Sequence, residues 1–136
     1  MTLFKPYPDV IDALRELLPR WYPELASTSE EDFHVGRTFP EDLLTKLPFV
    51  RLADIGGNDD RITDRPLIDV DVFHQSFAQV ETLARGIQAH LLSGPHWAGG
   101  ILLDRVRTAM RPHPIPWDSD EVSRMYASYS LSARRS

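Results

Sequence analysis

The clearest hydrophobic pattern of the chain lies between residues 56 and 92, where an alternating strand leads directly into an amphipathic helix. Successive side chains of a strand point to opposite faces of a sheet, so residues 66–73 predict one apolar and one mixed face. The apolar face comprises Ile68, Val70 and Val72, and the mixed face comprises Leu67, Asp69, Asp71 and Phe73. The segment Phe49–Ile55, followed by the turn Gly56–Asp60, predicts the other arm of a hairpin.

Two helices are predicted from apolar residues at helical spacing. The longer helix runs from about Ser76 to Leu92 and should lie across the sheet. Its apolar stripe comprises Phe77, Val80, Leu83 or Ala84, Ile87 and Leu91. The shorter helix is predicted from Asp9 to Leu18, because Pro19 should end it. Its residues Val10, Leu14 and Leu17 should face the core.

The remaining segments predict further strands joined by loops. Residues 33–39 are expected to form a strand, and a helical turn should follow Pro40. Residues 101–110 fit either a strand or a helix, and the alternation of Arg105 and Arg107 around Val106 favours a strand. Three prolines in residues 111–116 predict an extended arm and exclude a regular central strand. A final strand is predicted from Val122 to Arg134, with apolar Met125, Ala127, Tyr129, Leu131 and Ala133 on one face.

These elements predict a single α+β domain, residues 1–136, in which helices cover one side of an antiparallel sheet. A chain of 136 residues can bury a core of its own. It lacks cysteine, which excludes disulfides and thiolate metal sites. The sequence shows neither a signal-peptide pattern nor an apolar run of membrane-spanning length, so no membrane association is expected.

The charge of the chain is negative and unevenly distributed. There are 15 basic and 20 acidic side chains, for a formal charge of −5. Residues 101–136 nevertheless carry 6 of the basic and only 4 of the acidic groups, a local charge of +2. Affinity for nucleic acid depends on neutralising phosphates, so this balance argues against a protein that wraps DNA or RNA. The basic end could instead meet an acidic partner.

Asp69 and Asp71 are the strongest candidates for chemistry. Together with Asp59, Asp60 and Asp64 of the preceding turn, they could hold magnesium for phosphoryl transfer. A metal nuclease would also need a positioned lysine or an acid from another element, and the chain has only Lys5 and Lys46. The structural alternative is that Asp69 and Asp71 pair with Arg51, Arg61 or Arg65, on a face that is wet or meets a neighbour.

Other familiar site patterns are missing from the sequence. The five histidines share no ligand spacing, the serines near the C-terminus lie on the polar face of a strand, and the Gly-Gly pairs lack the lysine of a phosphate loop. No metal, cofactor or catalytic residue is therefore predicted. Trp97 and Trp117 lie in connectors, where each could either tuck against the core or anchor a partner.

Several segments resemble the tail terminator proteins of long-tailed, siphovirus-type bacteriophages, especially those of actinobacterial phages. The resemblance covers most of the chain from Phe33 onward. It rests on Leu47-Pro-Phe-Val-Arg51, Gly56-Gly-Asn-Asp-Asp-Arg-Ile-Thr-Asp-Arg-Pro66, Asp69-Val-Asp-Val-Phe73, Leu83-Ala-Arg85 and Met125-Tyr-Ala-Ser-Tyr129.

The resemblance implies a non-enzymatic assembly protein of the virion, with a small α+β fold. Such a protein forms a ring, typically a homo-hexamer, on the head-proximal end of the tail tube. It stops polymerisation of the tail tube protein and offers a docking surface to head-completion or neck proteins. An acidic body suits a ring whose lumen lets DNA pass without specific binding.

For such a ring subunit, the expected contact residues lie in exposed loops and at the C-terminus. They are Asp59, Asp60, Arg61, Asp64, Arg65, Asp69 and Asp71 of the hairpin, Pro95, His96 and Trp97 of one loop, Trp117 of the proline-rich arm, and Arg134 and Arg135. The competing hypotheses are a small metal-dependent nuclease that uses the acidic hairpin and a monomeric protein-binding adaptor.

Overall fold

A computed structural model describes residues 9–26, 33–59, 64–98, 100–117 and 119–135. Two helices pack on one face of a six-stranded sheet, which confirms the predicted α+β class. In chain order, the elements are α1 Val10–Ala26, β1 His34–Gly36, β2 Phe49–Asp59, β3 Asp64–His74, α2 Phe77–Leu92, β4 His96–Ala98, β5 Ile101–Pro114 and β6 Ser123–Arg135. A single 3₁₀ turn, Leu43–Lys46, precedes β2. None of the described helices is both long and apolar enough to span a bilayer.

The sheet has the order β1-β2-β3-β6-β5-β4, and all pairs are antiparallel except β1 with β2. The long strands β3 and β6 lie at its centre, whereas the two edge strands have only three residues each. Short edges offer few unpaired backbone groups to another chain. Edge pairing is restricted at these two strands, whereas β2 beyond residue 51 and β5 beyond residue 103 have no further strand beside them among the described residues.

The core lies between the helices and the apolar face of the central strands. The predicted apolar residues of β3 and β6 are all buried, and they meet across the strands as Ile68 with Tyr129, Val70 with Ala127 and Val72 with Met125. Helix α2 begins at the predicted place, where the Ser76 hydroxyl accepts a hydrogen bond from the Gln79 amide. Phe77 departs from the predicted stripe because it is half exposed in the first turn of the helix.

Helix α1 extends well beyond its predicted end. It begins as expected, because the Asp9 carboxylate accepts hydrogen bonds from the amides of Ile11 and Asp12. It then continues through Pro19 and Pro23 to Ala26. Both prolines lie on the exposed side, where water can bond the carbonyls that lose their intrahelical donors. Burial of Tyr22 and Leu25 on the opposite side holds the second half of the helix in place.

Strand β5 also extends further than the proline pattern predicts. It continues to Pro114, where the sequence predicted a separate arm from residue 111. Only residues 101–103 of β5 pair with β4, so the rest of the strand forms an edge on that side. Prolines are tolerated at sheet edges because no second ladder requires their amide hydrogen. The register with β6 shifts near Met110, which fits the irregularity that prolines impose.

Tyr129 provides a stability test of this core. Its side chain is 1% exposed, and its hydroxyl has no hydrogen-bond partner among the described residues. Burial raises the pKa of this phenol above its ordinary value. Because an unpaired buried hydroxyl costs stability, we expect Tyr129→Phe to raise the free energy of unfolding by about 1 kcal/mol. The measurement is urea denaturation at neutral pH.

Tyr126→Phe is the matched control for this substitution. It removes a hydroxyl that donates to Asp69, so it should lower the free energy of unfolding by roughly 1 kcal/mol. A Tyr129→Phe variant that is destabilised as much as Tyr126→Phe would contradict the account of an unpaired hydroxyl.

Candidate functional site

The sheet face opposite the helices divides into a covered half and an open half. Near the start of β2 and β6, loops fold back over the face and form a small second core. Toward the start of β5 and the end of β6, none of the described loops or helices packs on this outer face. The two halves carry different chemistry, and each contains residues that the sequence singled out.

Aromatic rings cover the first half. Phe39 and Trp117 lie over Phe73 of β3, with ring centroids at 5.4 and 4.9 Å, and Phe39 also contacts Phe49 of β2 at 5.9 Å. Phe49 and Phe73 are consequently buried. Of the two roles considered for Trp117, packing against its own chain is present here. A contact between Trp117 and a partner stays a prediction.

An ion pair between Asp71 and Arg124 lies under this aromatic cover. The Arg124 Nε atom is 2.8 Å from one carboxylate oxygen, and a terminal guanidinium nitrogen is 3.0 Å from the other. The guanidinium carbon also lies 5.6 Å from the Phe73 centroid and 5.4 Å from the Trp117 centroid. Asp71 is buried, so this two-pronged pair joins β3 to β6 in a desolvated setting. The partner is thus Arg124, which was not among the three arginines expected.

Asp69 accepts a hydrogen bond from the Tyr126 hydroxyl at 2.5 Å. Burial and the neighbouring carboxylates of Asp69 and Asp71 raise the pKa of Tyr126 to about 12. Both acids of the predicted pair are therefore engaged by groups on β6. Among the residues in the described ranges, no group of three or more His, Asp or Glu side chains is arranged to hold a metal ion.

The open half of the face contains a shallow basin of about 490 Å³ with three arginines at its border. We call it the arginine basin, and it is lined by Arg65, Asp104, Arg105, Arg107, Ser130, Leu131 and Ser132. One carboxylate oxygen of Asp104 forms an ion pair with Arg134 at 2.9 Å, and its other oxygen is buried without a hydrogen-bond partner among the described residues. Arg105 and Arg107 are exposed, and neither forms an ion pair with a residue of the described ranges. The basin therefore presents net positive charge to solvent.

The predicted loop Pro95–Trp97 is largely the edge strand β4. The His96 Nε2 atom lies 3.2 Å from the Leu91 carbonyl oxygen, and its ring contacts Trp21 at 4.9 Å, so His96 fixes the strand to both helices. Pro95 is exposed, and Trp97 is 56% exposed beside its cross-strand neighbour Leu102. Trp97 is therefore not packed into the core, and its use as a partner anchor stays a prediction.

The remaining predicted contact residues belong to the hairpin tip and the C-terminus. Arg65 borders the arginine basin, and Arg134 forms the ion pair with Asp104. The predictions for Asp60 and Arg61 lie outside the described residues, as do those for the side chains of Asp59, Asp64 and Arg135.

Sequence reasoning did not assign a role to Arg105, Arg107 and Arg124. Alternation placed the first two on a strand but gave no reason to expect that they lack acidic partners. The reason lies in the strand pairing, which only the structure shows: Arg105 lies opposite Ser132 and Arg107 opposite Ser130. Two basic residues opposite two serines leave uncompensated charge on one face.

No protein-family model matches this chain, and no curated protein matches it. Its structure is similar to a solved chain from the virion of a native gene transfer agent particle, with a TM-score of 0.61 and 13% sequence identity. The match covers 92% of this chain and 94% of that chain. The two chains share a fold. The similarity extends over nearly the full length of both chains.

The Asp71–Arg124 pair can be tested against a more exposed pair in the same sheet, Asp104–Arg134. Arg124→Gln leaves a buried carboxylate without its counter-ion, so it should lower the free energy of unfolding by roughly 2–4 kcal/mol. Arg134→Gln, which removes the half-exposed partner of Asp104, should cost about 1 kcal/mol or less. Chemical denaturation of both variants measures the difference, and equal losses would refute the assigned role of Asp71.

Tyr126 provides a test at high pH. Its raised pKa means that the folded state holds the phenol proton more tightly than the unfolded chain. The resulting stabilisation is complete below about pH 10 and is lost as the pH rises through about 12. Removal of one carboxylate by Asp69→Asn should lower the pKa of Tyr126, as measured by absorbance at 295 nm in a pH titration. An unchanged pKa in Asp69→Asn would rule out the contribution of Asp69.

Proposed function

We propose that this chain is a virion assembly protein of the tail terminator type. In this role, copies of the chain form a ring, with six copies as the expected number. The ring caps the head-proximal end of the tail tube, stops its polymerisation and provides the surface on which head-completion proteins dock.

The observation that carries the proposal is the fold shared with a chain of a gene transfer agent virion, over more than nine-tenths of both chains. A fold alone does not specify a function. The resemblance to tail terminators, which covers most of the chain from about Phe33 onward, is independent of that structural match, because it rests on short sequence segments. Both observations favour a structural protein of a virus-like particle.

The surface of the chain also supports an assembly role. The outer sheet face carries an open, positively charged half, although the chain as a whole has a formal charge of −5. Separated patches of opposite charge favour ordered contacts between copies. Along the free edge of β5, Pro112 and Pro114 lack the amide hydrogen that further strand pairing would need, which favours contacts through faces and loops over continuous growth of the sheet.

The nuclease hypothesis receives less support from the same residues. Both oxygens of Asp71 accept hydrogen bonds from Arg124, and one oxygen of Asp69 accepts from Tyr126. Magnesium would have to displace the Arg124 guanidinium from the buried carboxylate of Asp71 before it could bind there. The arrangement fits the structural role for the two carboxylates.

The proposed function can be tested with the full chain and the tail tube protein of the same virus. We expect the chain to form rings that are visible by negative-stain electron microscopy, either alone or on tube ends. Its addition during tube assembly should shorten the tubes, because capped ends stop growing. Tube lengths that are unaffected by a molar excess of the chain would contradict the proposal.

A magnesium-dependent DNA cleavage assay provides the complementary test. We expect no cleavage by the pure protein. Cleavage that is abolished by Asp69→Asn but retained in Ser128→Ala, a change at its cross-strand neighbour, would instead support the nuclease.

A further inference from the structure

The arginine basin has the shape and charge of a binding surface for acidic side chains. Ser130 and Ser132 lie opposite Arg107 and Arg105 in the antiparallel pairing, so all four side chains share the outer face. Serine is small, whereas arginine reaches well above the sheet. The serines therefore form a low floor, and the flexible cationic groups stand at its border, where they can close around an acidic group.

A complementary acidic surface lies at the other end of the β5–β6 hairpin. We call residues 119–121 the acidic loop. It is an ordered turn, because the Ser119 hydroxyl accepts from the Glu121 amide at 3.1 Å and the Ser119 carbonyl accepts from the Val122 amide at 3.3 Å. Asp120 and Glu121 are exposed, and neither forms an ion pair with a residue in the described ranges.

The basin and the loop of one molecule cannot reach each other. Strand β5 runs from the basin to the connection that contains the acidic loop, and at about 3.3 Å per residue the stretch from Arg107 to Pro114 spans roughly 23 Å. This length exceeds the reach of an arginine and a glutamate side chain together. Any contact between these two surfaces must therefore join two molecules.

Building on the proposed function, we propose that the arginine basin of one copy receives the acidic loop of the next copy. Such a contact is heterologous, since it joins two different surfaces, and a heterologous contact closes into a ring when the rotation between copies is suitable. The occupant is a second copy and not a nucleic acid, because the remainder of this acidic chain repels phosphates while its acidic loop matches the basin.

Two charge-reversal variants test the inference on the full chain. The basin variant carries Arg105→Glu and Arg107→Glu, and the loop variant carries Asp120→Arg and Glu121→Arg. Each places like charges on both sides of the contact. At low ionic strength, sedimentation velocity should show self-association weakened at least about tenfold in either variant relative to the wild type.

Mixing the two variants gives the decisive result. In an equimolar mixture, the acidic basin of the basin variant matches the basic loop of the loop variant. The unaltered basin of the loop variant matches the unaltered loop of the basin variant. Association should therefore return, in assemblies with an even number of copies. A chain that carries all four reversals should also associate by itself. Failure of both to restore association would overturn the inference.

A control variant separates the specific contact from net charge. The control variant carries Arg20→Glu and Arg85→Glu at exposed helix positions, and it changes the formal charge by the same amount as the basin variant. It should associate like the wild type. Equal weakening in this control would also overturn the inference, as would a wild type that is monomeric at all concentrations. If the basin variant loses only affinity for a DNA oligonucleotide, the occupant is phosphate and the inference is wrong.

The same variants distinguish the inference from the proposed function. If the basin and loop variants still form rings and still cap tubes like the wild type, the contact is wrong and the proposed function stands. If the wild type neither forms rings nor shortens tubes, the proposed function fails irrespective of the variants.

Discussion

The structure depends on the burial of one face of the two central strands, β3 and β6. Their apolar side chains alternate in register, so Ile68, Val70 and Val72 meet Tyr129, Ala127 and Met125 beneath the helices. A shift of one residue in either strand would expose this face and bury serines and carboxylates. The same register fixes the outer face, because it brings Arg124 within reach of Asp71 and leaves Arg105 and Arg107 beside serines. Core packing therefore determines which charges are paired and which are free to meet a partner.

The outer face combines a rigid half with a receptive half. Under the aromatic cover, the buried Asp71 forms two hydrogen bonds with the partly buried Arg124, whose guanidinium also contacts the Trp117 ring, so the loop around Trp117 is tied to the sheet. In the open half, Arg105 and Arg107 keep their charge available to solvent. Long-range attraction between such a basin and an acidic loop guides association, and its strength falls as salt concentration rises. In a ring built this way, the charged contact would align neighbouring copies, and the rigid half would maintain the shape of each copy.

Sequence patterns predicted the parts of the fold that depend on alternation and helical spacing. The apolar faces of β3 and β6 and the stripe of α2 from Val80 to Leu91 follow directly from residue order. The predicted ends of α1 at Leu18 and of β5 at Met110 were wrong. Proline is tolerated on the exposed side of a helix and at the edge of a sheet, and only the folded structure shows that these prolines occupy such positions. The partners of Asp69 and Asp71 are more than 50 residues away in the chain, so only the strand order reveals them. For the same reason, the sequence could not show that Arg105 and Arg107 form a basin with Ser130 and Ser132.

In the proposed ring, copies of this chain join through two different surfaces of the β5–β6 hairpin, the arginine basin and the acidic loop. The chain has no cysteine, so introduced thiols report this contact without background. The most direct measurement is cross-linking of a Pro116→Cys, Ser132→Cys chain with a short bismaleimide, followed by denaturing electrophoresis, because Pro116 is exposed beside the acidic loop and its replacement keeps the Ser119 hydrogen bonds. The account predicts a ladder of covalent oligomers that ends at the size of the closed ring, whereas an equimolar mixture of the two single-cysteine chains should stop at dimers. Absence of the ladder, or equally efficient dimers from either single-cysteine chain alone, would contradict it.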